Sequence, residues 1–596
     1  MKDKNEKRIH SIDSTGSLQA NSIRVCQNCK KDFIIEPDDF GFYEKIKVPP
    51  PTWCPECRAM RRLIWRNERS LYHNICAFSG KKIISIFSPE TKLTVYERDI
   101  WWSDKWDPTS YGQEYDFARP FFEQFKELMS KVPLANVGNT NCVNSEYGNH
   151  NVDLRNCYLV YGSYTGENVC YAQGAMNVRD SFDLYSVMKS EQCFEDTLCG
   201  NLYNTYFSYD SDDCINSSFL TSCINLQDCF ACINLRHKSH CIFNTQYSKE
   251  EYEKKLATYD FGSYKVLEKF KKEYNDFIKT QFRRFAYINK SVNVTGDNVI
   301  NSKNCRMIFD VFWEVQDSKY LAHNGGLKHC YDGYGTGNGE YIYESVDTGI
   351  DASMNLFGIL THGSINTYYT YMCYSSDNLF GCVGLQKRKY CILNKQYTKE
   401  EYHKLLPKII QHMNTMPYVD KKGRVYKYGE FFPIELSPFY YNETILEDYY
   451  PMERKGVEGY GFKWKEREKR DYKIKIKAEY LPDHIKDVDE FIVDKVIGCM
   501  HGGSCNQQCT EAFKILPQEL QFYKKNNLAL PRLCPNCRHF ERLKKRNPLN
   551  LWHRTCMCDR EKHEHKGKCK NEFETSYAPE RLEIVYCEKC YQAEVY

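Results

Sequence analysis

From about residue 140 to 395 the chain alternates short β-prone strokes with polar turns. A polar residue, often Asn, Asp or Ser, precedes a Cys or aromatic and a few β-prone residues. Examples are NCYLVYGS at 156, NVCYAQGA at 168, DCINSSF at 213 and HCIFNTQY at 240. The rhythm returns in NCRMIFDV at 304, NTYYTYM at 366 and YCILNKQY at 390. Starts fall about every 12 residues, which predicts a β-solenoid with two starts in each coil of about 23–25 residues. Each coil cannot bury its inner face alone, but stacking builds a continuous core. Small Cys, Val and Ile suit a narrow interior, and Asn residues stacked at turns can form hydrogen-bonded ladders.

The solenoid pattern occurs twice. DCFACINLRHKSHCIFNTQYSKEEYEKKL (228–256) aligns with DNLFGCVGLQKRKYCILNKQYTKEEYHKLL (377–406), offset by 150 from Phe230 and Phe380 onward. Each array is then followed by a helical pattern. Ser248-x-x-Glu251 and Thr398-x-x-Glu401 are capping boxes, and a helix there would shield the open strand edge. A helical hairpin is expected over 250–285, and another helix over 119–131 opening at Pro120. Residues 417–482, rich in Tyr, Pro, Lys and Glu, read as an extended connector packed on the body.

Cysteine changes the picture at the two ends. Five of the thirty cysteines precede residue 80, ten follow residue 498, and fifteen lie in the body. Cys26 and Cys29 are followed by Cys54-Pro-Glu-Cys57; Cys505 and Cys509 by Cys534-Pro-Asn-Cys537. An offset of 480 keeps the two ends in register, pairing Phe33 with Phe513, Phe42-Tyr43 with Phe522-Tyr523, His73 with His553 and Cys76 with Cys556. That is an internal duplication. Two short-spaced cysteine pairs about 25 residues apart bring four thiolates to one tetrahedral Zn²⁺. The predicted ligands are Cys26, Cys29, Cys54 and Cys57, and Cys505, Cys509, Cys534 and Cys537, with Cys499 an alternative to Cys505. A third site is expected from Cys587, Cys590 and two of Cys556, Cys558 and Cys569, with His563 and His565 nearby. About three structural Zn²⁺ per chain follow. In the N-terminal copy Glu97 and Ile100 stand where Cys587 and Cys590 stand, so Cys76 is expected to have no such site. The body cysteines, spaced about every 12 residues, read as core rather than ligands.

The segments CQNCKKDF…FYEK…PPPTWCPECRAMRR and CNQQCTEAF…FYKK…LPRLCPNCRHFERLKKR resemble a family of bacterial zinc-binding domains of ribbon or treble-clef type. The likeness covers roughly 35 residues at each end and implies zinc, but no particular activity. The longer layout, including WWSDKWDP and GEFFPIELSPF, is similar to large proteins of small-genome, uncultivated bacterial lineages. The expected organisation is a polar tail (1–20), an N-terminal zinc module (21–107), a helical connector (108–135), array A (136–247), a helical hairpin (248–288), array B (289–397), a helix (398–416), an extended connector (417–490) and a C-terminal double zinc module (491–596). The fold class is mainly β with helical caps: two parallel β-helix-like solenoid arrays flanked by zinc-ribbon or treble-clef-like modules.

Each Cys-Pro-x-Cys runs into a basic helical stretch carrying Arg58, Arg61, Arg62 and Arg66, or Arg538, Arg542, Lys544, Lys545 and Arg546. Such cations are candidates for phosphate contact, against the alternative of a solvated face paired with local acids. A net charge of +3 supplies no global field toward nucleic acid or lipid. Aromatics at 15% exclude a disordered chain. No apolar run reaches the ~18 residues a membrane helix needs. The opening MKDKNEKRIHSIDSTGSLQANS has no apolar h-region, so a cytoplasmic location without membrane contact is expected. No catalytic residue is singled out: GYGTGNGEY (333–341) reads as turns, and no Gly-x-Ser-x-Gly elbow occurs. The expected function is a non-enzymatic binding or scaffold protein, with nucleic acid or another protein as partner. A carbohydrate-active β-helix enzyme and a self-assembling structural protein are the alternatives.

Overall fold

A computed structural model describes residues 8–12, 18–467, 471–561 and 563–596. Of the expected polar tail, Arg8–Ile12 pairs antiparallel with Leu18–Val25, and the remainder lies outside the described residues. The protein is mainly β. Array A runs through strands from Gly148–Asn149 to Cys241–Ile242, and array B from Ile288–Asn289 to Lys389–Ile392.

The coil is half the length the sequence pattern suggested. Parallel partners lie 12 residues apart, as in Tyr158↔Cys170, Tyr203↔Ile215, Tyr331↔Tyr343 and Leu379↔Cys391. One start, not two, therefore completes a turn of the solenoid. The reason is a left-handed backbone corner at every third residue. Asn168, Tyr171, Asn177, Asp180, Asp183 and Ser186 all have φ near +50 to +60°, with Gly174 in the same series at +69°. Four corners close a 12-residue coil. Asn and Asp recur there because they tolerate this region better than other side chains.

The residue after each corner points inward. Val169, Ala172, Ala175, Val178, Ser181, Leu184, Val187, Ser190 and Cys193 form one such buried series. Inward serines satisfy the neighbouring coil: Ser181 Oγ accepts from Cys193 N at 3.0 Å, and Ser318 Oγ from Cys330 N at 3.0 Å. Burial pushes the inward thiols Cys157 and Cys305 to about 11, and Cys223 and Cys330 to about 12. Cysteine here is a small apolar filler. Outside, the polar ladder forms at the corners. Asn156 donates to Asn168 at 3.3 Å, and Asn168 donates to Asp180 at 2.8 Å.

Each array ends in a short antiparallel return, Cys241↔Gln246 and Cys391↔Gln396. Helices Lys249–Leu256 and Lys399–Thr415 follow, each opened by its expected capping box. Tyr264–Lys279 completes the helical pair after array A, and Phe121–Lys131 begins after Pro120. The expected connector is irregular, with short helical turns at Ile445–Tyr449 and Arg454–Tyr460.

The chain's packing divides into two units, each drawn from separated stretches. Met1–Val137, Ala286–Lys465 and Leu549–Leu551 make the first. Gly138–Phe285, Glu466–Pro548 and Trp552–Tyr596 make the second. The first cysteine module thus packs with array B, and the C-terminal modules with array A.

Candidate metal centres and an adjoining cleft

In the first unit, Cys54 is the N-cap of helix Pro55–Leu63, and Cys57 lies in its first turn. Proline at the first helical position suits an N–H that has no partner there anyway, and the helix N-terminus favours thiolate. The other pair sits on a tight knuckle. Cys26 N donates to Lys31 O at 2.9 Å, and Lys30 N to Cys26 O at 3.0 Å, with Lys30 at φ +63°. Cys26, Cys29, Cys54 and Cys57 bring their sulfurs within 4.8 Å of one another and could hold a metal ion. Cys29 and Cys54 are 3.7 Å apart, close to the ~3.8 Å edge of a tetrahedron with zinc–sulfur bonds of about 2.3 Å. Hydrogen bonding from Cys54, then Cys57, pulls the Cys26 thiol well below its ordinary value. Asn28 Nδ2 donates to Cys57 Sγ at 3.3 Å.

In the second unit, helix Pro535–Leu543 is likewise N-capped by Cys534. The four-sulfur group there comprises Cys499, Cys509, Cys534 and Cys537. Cys499, the alternative to Cys505, takes this place because Cys499 N donates to Glu511 O, as Cys26 N does to Lys31 O. Strand Ile497–Gly498 pairs with Ala512–Phe513 and fixes that position. Cys505 lies beside the group, 3.7 Å from Cys537 Sγ, and belongs to a separate grouping with His501 and Cys537. Near the C-terminus, Cys556, Cys569, Cys587 and Cys590 form a third four-sulfur group, with Cys587 capping helix Glu588–Val595. Cys558 instead meets His563, His565 and Cys590. Cys76 is buried, and its sulfur accepts from Glu97 N at 3.2 Å.

The basic stretches do not present their arginines to solvent. Arg58, Arg61, Arg62 and Arg66 are at most 6% exposed, and Arg538 and Arg542 at most 5%. Arg58 and Arg62, one helical turn apart, both reach Asp332 of array B, at 2.9 and 3.1 Å. Arg538 and Arg542 both reach Asp183 of array A, at 2.5 and 2.7 Å. Both aspartates are fully buried at solenoid corners, with φ of +61° and +58°. Arg61 donates to Glu344 and Glu430, each at 2.7 Å, and Arg66 pairs with Asp347 and Glu68. These six guanidinium groups dock the cysteine modules on the solenoids. The expectation of phosphate contact is corrected for them, because their charges are spent on buried carboxylates. Arg546 is half-buried, donating to Tyr185 Oη at 2.7 Å, whereas Lys544 and Lys545 are exposed. Aromatic contacts complete the docking: Phe42 stacks on Tyr331 with ring centroids 3.9 Å apart, and Phe522 meets Phe182 in a tilted pair at 4.7 Å.

Beside the second module lies a cleft of about 660 Å³, within the ~300–1,000 Å³ range of ligand sites. Array A contributes Phe194, Glu195 and Phe207 to its wall, and the Pro535–Leu543 helix and the residues after it contribute Glu541, Lys544 and Lys545. At the offset of 480, Glu541 stands where the first module has Arg61, so Glu195 lacks the arginine that its solenoid counterpart Glu344 receives. Lys271 lies 3.5 Å from Glu195. Enclosure works to raise the Glu195 carboxyl, yet Lys271, Lys545, Arg542 and Arg538 hold it below its ordinary value, so the local field is positive. Lys545 and two further cations on the wall, Arg283 and Arg532, form no carboxylate ion pair among the described residues. Arg283 is 9% exposed, and its Nη1 has no hydrogen-bond partner. Arg532 instead donates to the carbonyls of Leu481 and Pro482 at 3.0 and 2.9 Å and lies over Tyr264.

No family model and no curated protein matches the chain. Among solved structures, a protein from Desulfovibrio desulfuricans G20 assigned as an acetyltransferase aligns at 8% identity, over 49% of this chain and 86% of its own, with a TM-score of 0.09. A likeness at that level carries no argument about fold or activity. Among the described residues, no helix is long and apolar enough to cross a membrane.

Proposed function

We propose that the chain is a zinc-stabilised solenoid binding protein, related to the bacterial ribbon or treble-clef zinc-binding proteins it resembles, and that it takes a single-stranded nucleic acid in the cleft of the second unit. The observation that carries the binding surface is the cleft itself, where Arg283 and Lys545 lack carboxylate partners beside the rings of Phe194, Phe207 and Tyr264. Cations supply phosphate contact and ring faces supply stacking, the combination single strands use. The metal has a structural role in this reading. A closed four-sulfur site offers no coordination position to water, and the first two of them each set a helix whose arginines grip a solenoid array. Binding rather than catalysis fits that arrangement, and a cytoplasmic setting fits thirty reduced thiols.

The test is fluorescence anisotropy of labelled single-stranded RNA and DNA with the full chain, titrated at low salt and then against rising salt. Lys544→Glu with Lys545→Glu, both exposed, should weaken binding at least about tenfold and flatten the salt slope. Metal content should be unchanged. No binding at low salt, or binding indifferent to the pair, overturns the proposal.

A further inference from the structure

The C-terminal module brings together more donors than one metal ion uses. Cys556, Cys569, Cys587 and Cys590 form one tetrad; Cys558, His563, His565 and Cys590 form another. Cys590 belongs to both. We propose that this module holds two zinc ions joined by a shared thiolate, with Cys590 Sγ bridging one ion on Cys556, Cys569 and Cys587 and a second on Cys558, His563 and His565. The proposal rests on the reading that these clusters hold metal.

Three observations carry it. The first is spacing. Cys558 Sγ lies 3.1 Å from His563 Nδ1, and Cys590 Sγ 3.4 Å from His565 Nε2. A tetrahedron with zinc–sulfur bonds of about 2.3 Å and zinc–nitrogen bonds of about 2.0 Å has sulfur–nitrogen edges of about 3.5 Å.

The second is the orientation of the two rings. Metal-ligating histidines direct their other nitrogen to a carboxylate or a backbone carbonyl, which fixes tautomer and ring plane. His563 presents Nδ1 to the cluster, while Nε2 meets Glu594 Oε1 at 3.2 Å. His565 presents Nε2 to the cluster, while Nδ1 meets Gly567 O at 2.7 Å. The two histidines use opposite nitrogens, and each has its remaining nitrogen engaged by an acceptor.

The third is charge. A four-thiolate site with one Zn²⁺ carries −2, and Cys558 would add a fifth sulfur beside it. Five thiolates, two neutral imidazoles and two Zn²⁺ carry −1. Sharing Cys590 lowers the charge of a cluster whose cysteines are all buried. The N-terminal copy supplies the contrast: Glu97 and Ile100 occupy the counterparts of Cys587 and Cys590, so the bridging thiolate has no equivalent there.

Native mass spectrometry of the zinc-loaded full chain tests this. The His563→Ala/His565→Ala variant should carry one ion fewer than wild type. Equal counts, with metal present elsewhere in the chain, overturn the bridged pair but leave the broader metal reading standing; a metal-free wild-type chain defeats both. A second measurement does not depend on the variant folding. In wild-type protein loaded with cadmium-113, a bridging thiolate should produce two mutually coupled cadmium resonances. Resonances without mutual coupling overturn the proposal.

Discussion

At the scale of single residues, the arginine–aspartate forks matter most to stability. Asp183 and Asp332 each receive two guanidinium groups in a site closed to water. Removing one partner of a buried pair leaves an uncompensated charge and costs about 3–5 kcal/mol. Asp183→Asn and Asp332→Asn should therefore each lower the urea midpoint strongly, whereas Lys544→Ala, whose lysine is exposed, should change it little. Equal effects would mean the forks are not what docks the modules. A second residue makes stability depend on pH. Burial first of all raises Asp196 to about 7, although Thr205 and Ser208 hydrogen-bond its carboxylate. A carboxyl with a folded pKa above its unfolded value of about 3.9 binds its proton better in the folded chain. Its support for folding is present below the unfolded value and is lost as pH rises through about 7. Asp196→Asn should reduce the fall in stability across that window by up to about 1.4 kcal/mol per pH unit. Denaturation midpoints at several pH values check this, and an unchanged slope would count against it.

At the scale of elements, the solenoid corner is the repeating unit. Asn168 adopts φ +55° while linking Asn156 and Asp180 in the outer ladder. A β-branched side chain is strained in that region by about 1–3 kcal/mol. Asn168→Val should lower the thermal midpoint clearly, and Asn168→Gly, which loses the ladder but not the corner, should lower it less. The reverse order would show that the ladder outweighs the backbone. The three-residue period of inward positions, Val169, Ala172, Ala175, Val178 and onward, was present in the sequence. It was obscured because serine, threonine and aspartate share those positions with cysteine and valine. A rule that counts only apolar residues detects the 12-residue recurrence and overlooks its four sides. The capping boxes at Ser248 and Thr398 were legible because they are local, closing within three residues.

At the scale of the whole molecule, metal and solenoid should separate in their response to chelation. Stripping metal from reduced protein releases thiols that have no other role, while the coils keep their backbone pairing. Hydrogen exchange should accelerate over residues 26–63 and 499–546 and stay slow at the inward positions of both arrays. Uniform acceleration would show that the arrays depend on the modules for their own stability, and no change would remove the structural role of metal. The interleaving of the two units has a bearing here, since each module is covalently distant from the array it grips.

The amino-acid sequence by itself determined the features set by neighbours and by recurrence: the solenoid, its two arrays, the capped helices, and the cysteine pairs that meet as four-sulfur groups. Cysteine spacing is decisive because a short knuckle leaves its two sulfurs few directions to point. Tertiary structure decided what depends on partners hundreds of residues apart. Arg58 finds Asp332, and Arg538 finds Asp183, 274 and 355 positions away in the chain. A basic helix looks the same in sequence whether its charges face phosphate or a buried carboxylate. Only the fold showed that six of these arginines are consumed in docking, that Cys499 rather than Cys505 completes the second four-sulfur group, and that Cys590 stands between two sets of donors. Each of these outcomes turns on which backbone segments pair, and no local pattern records that pairing.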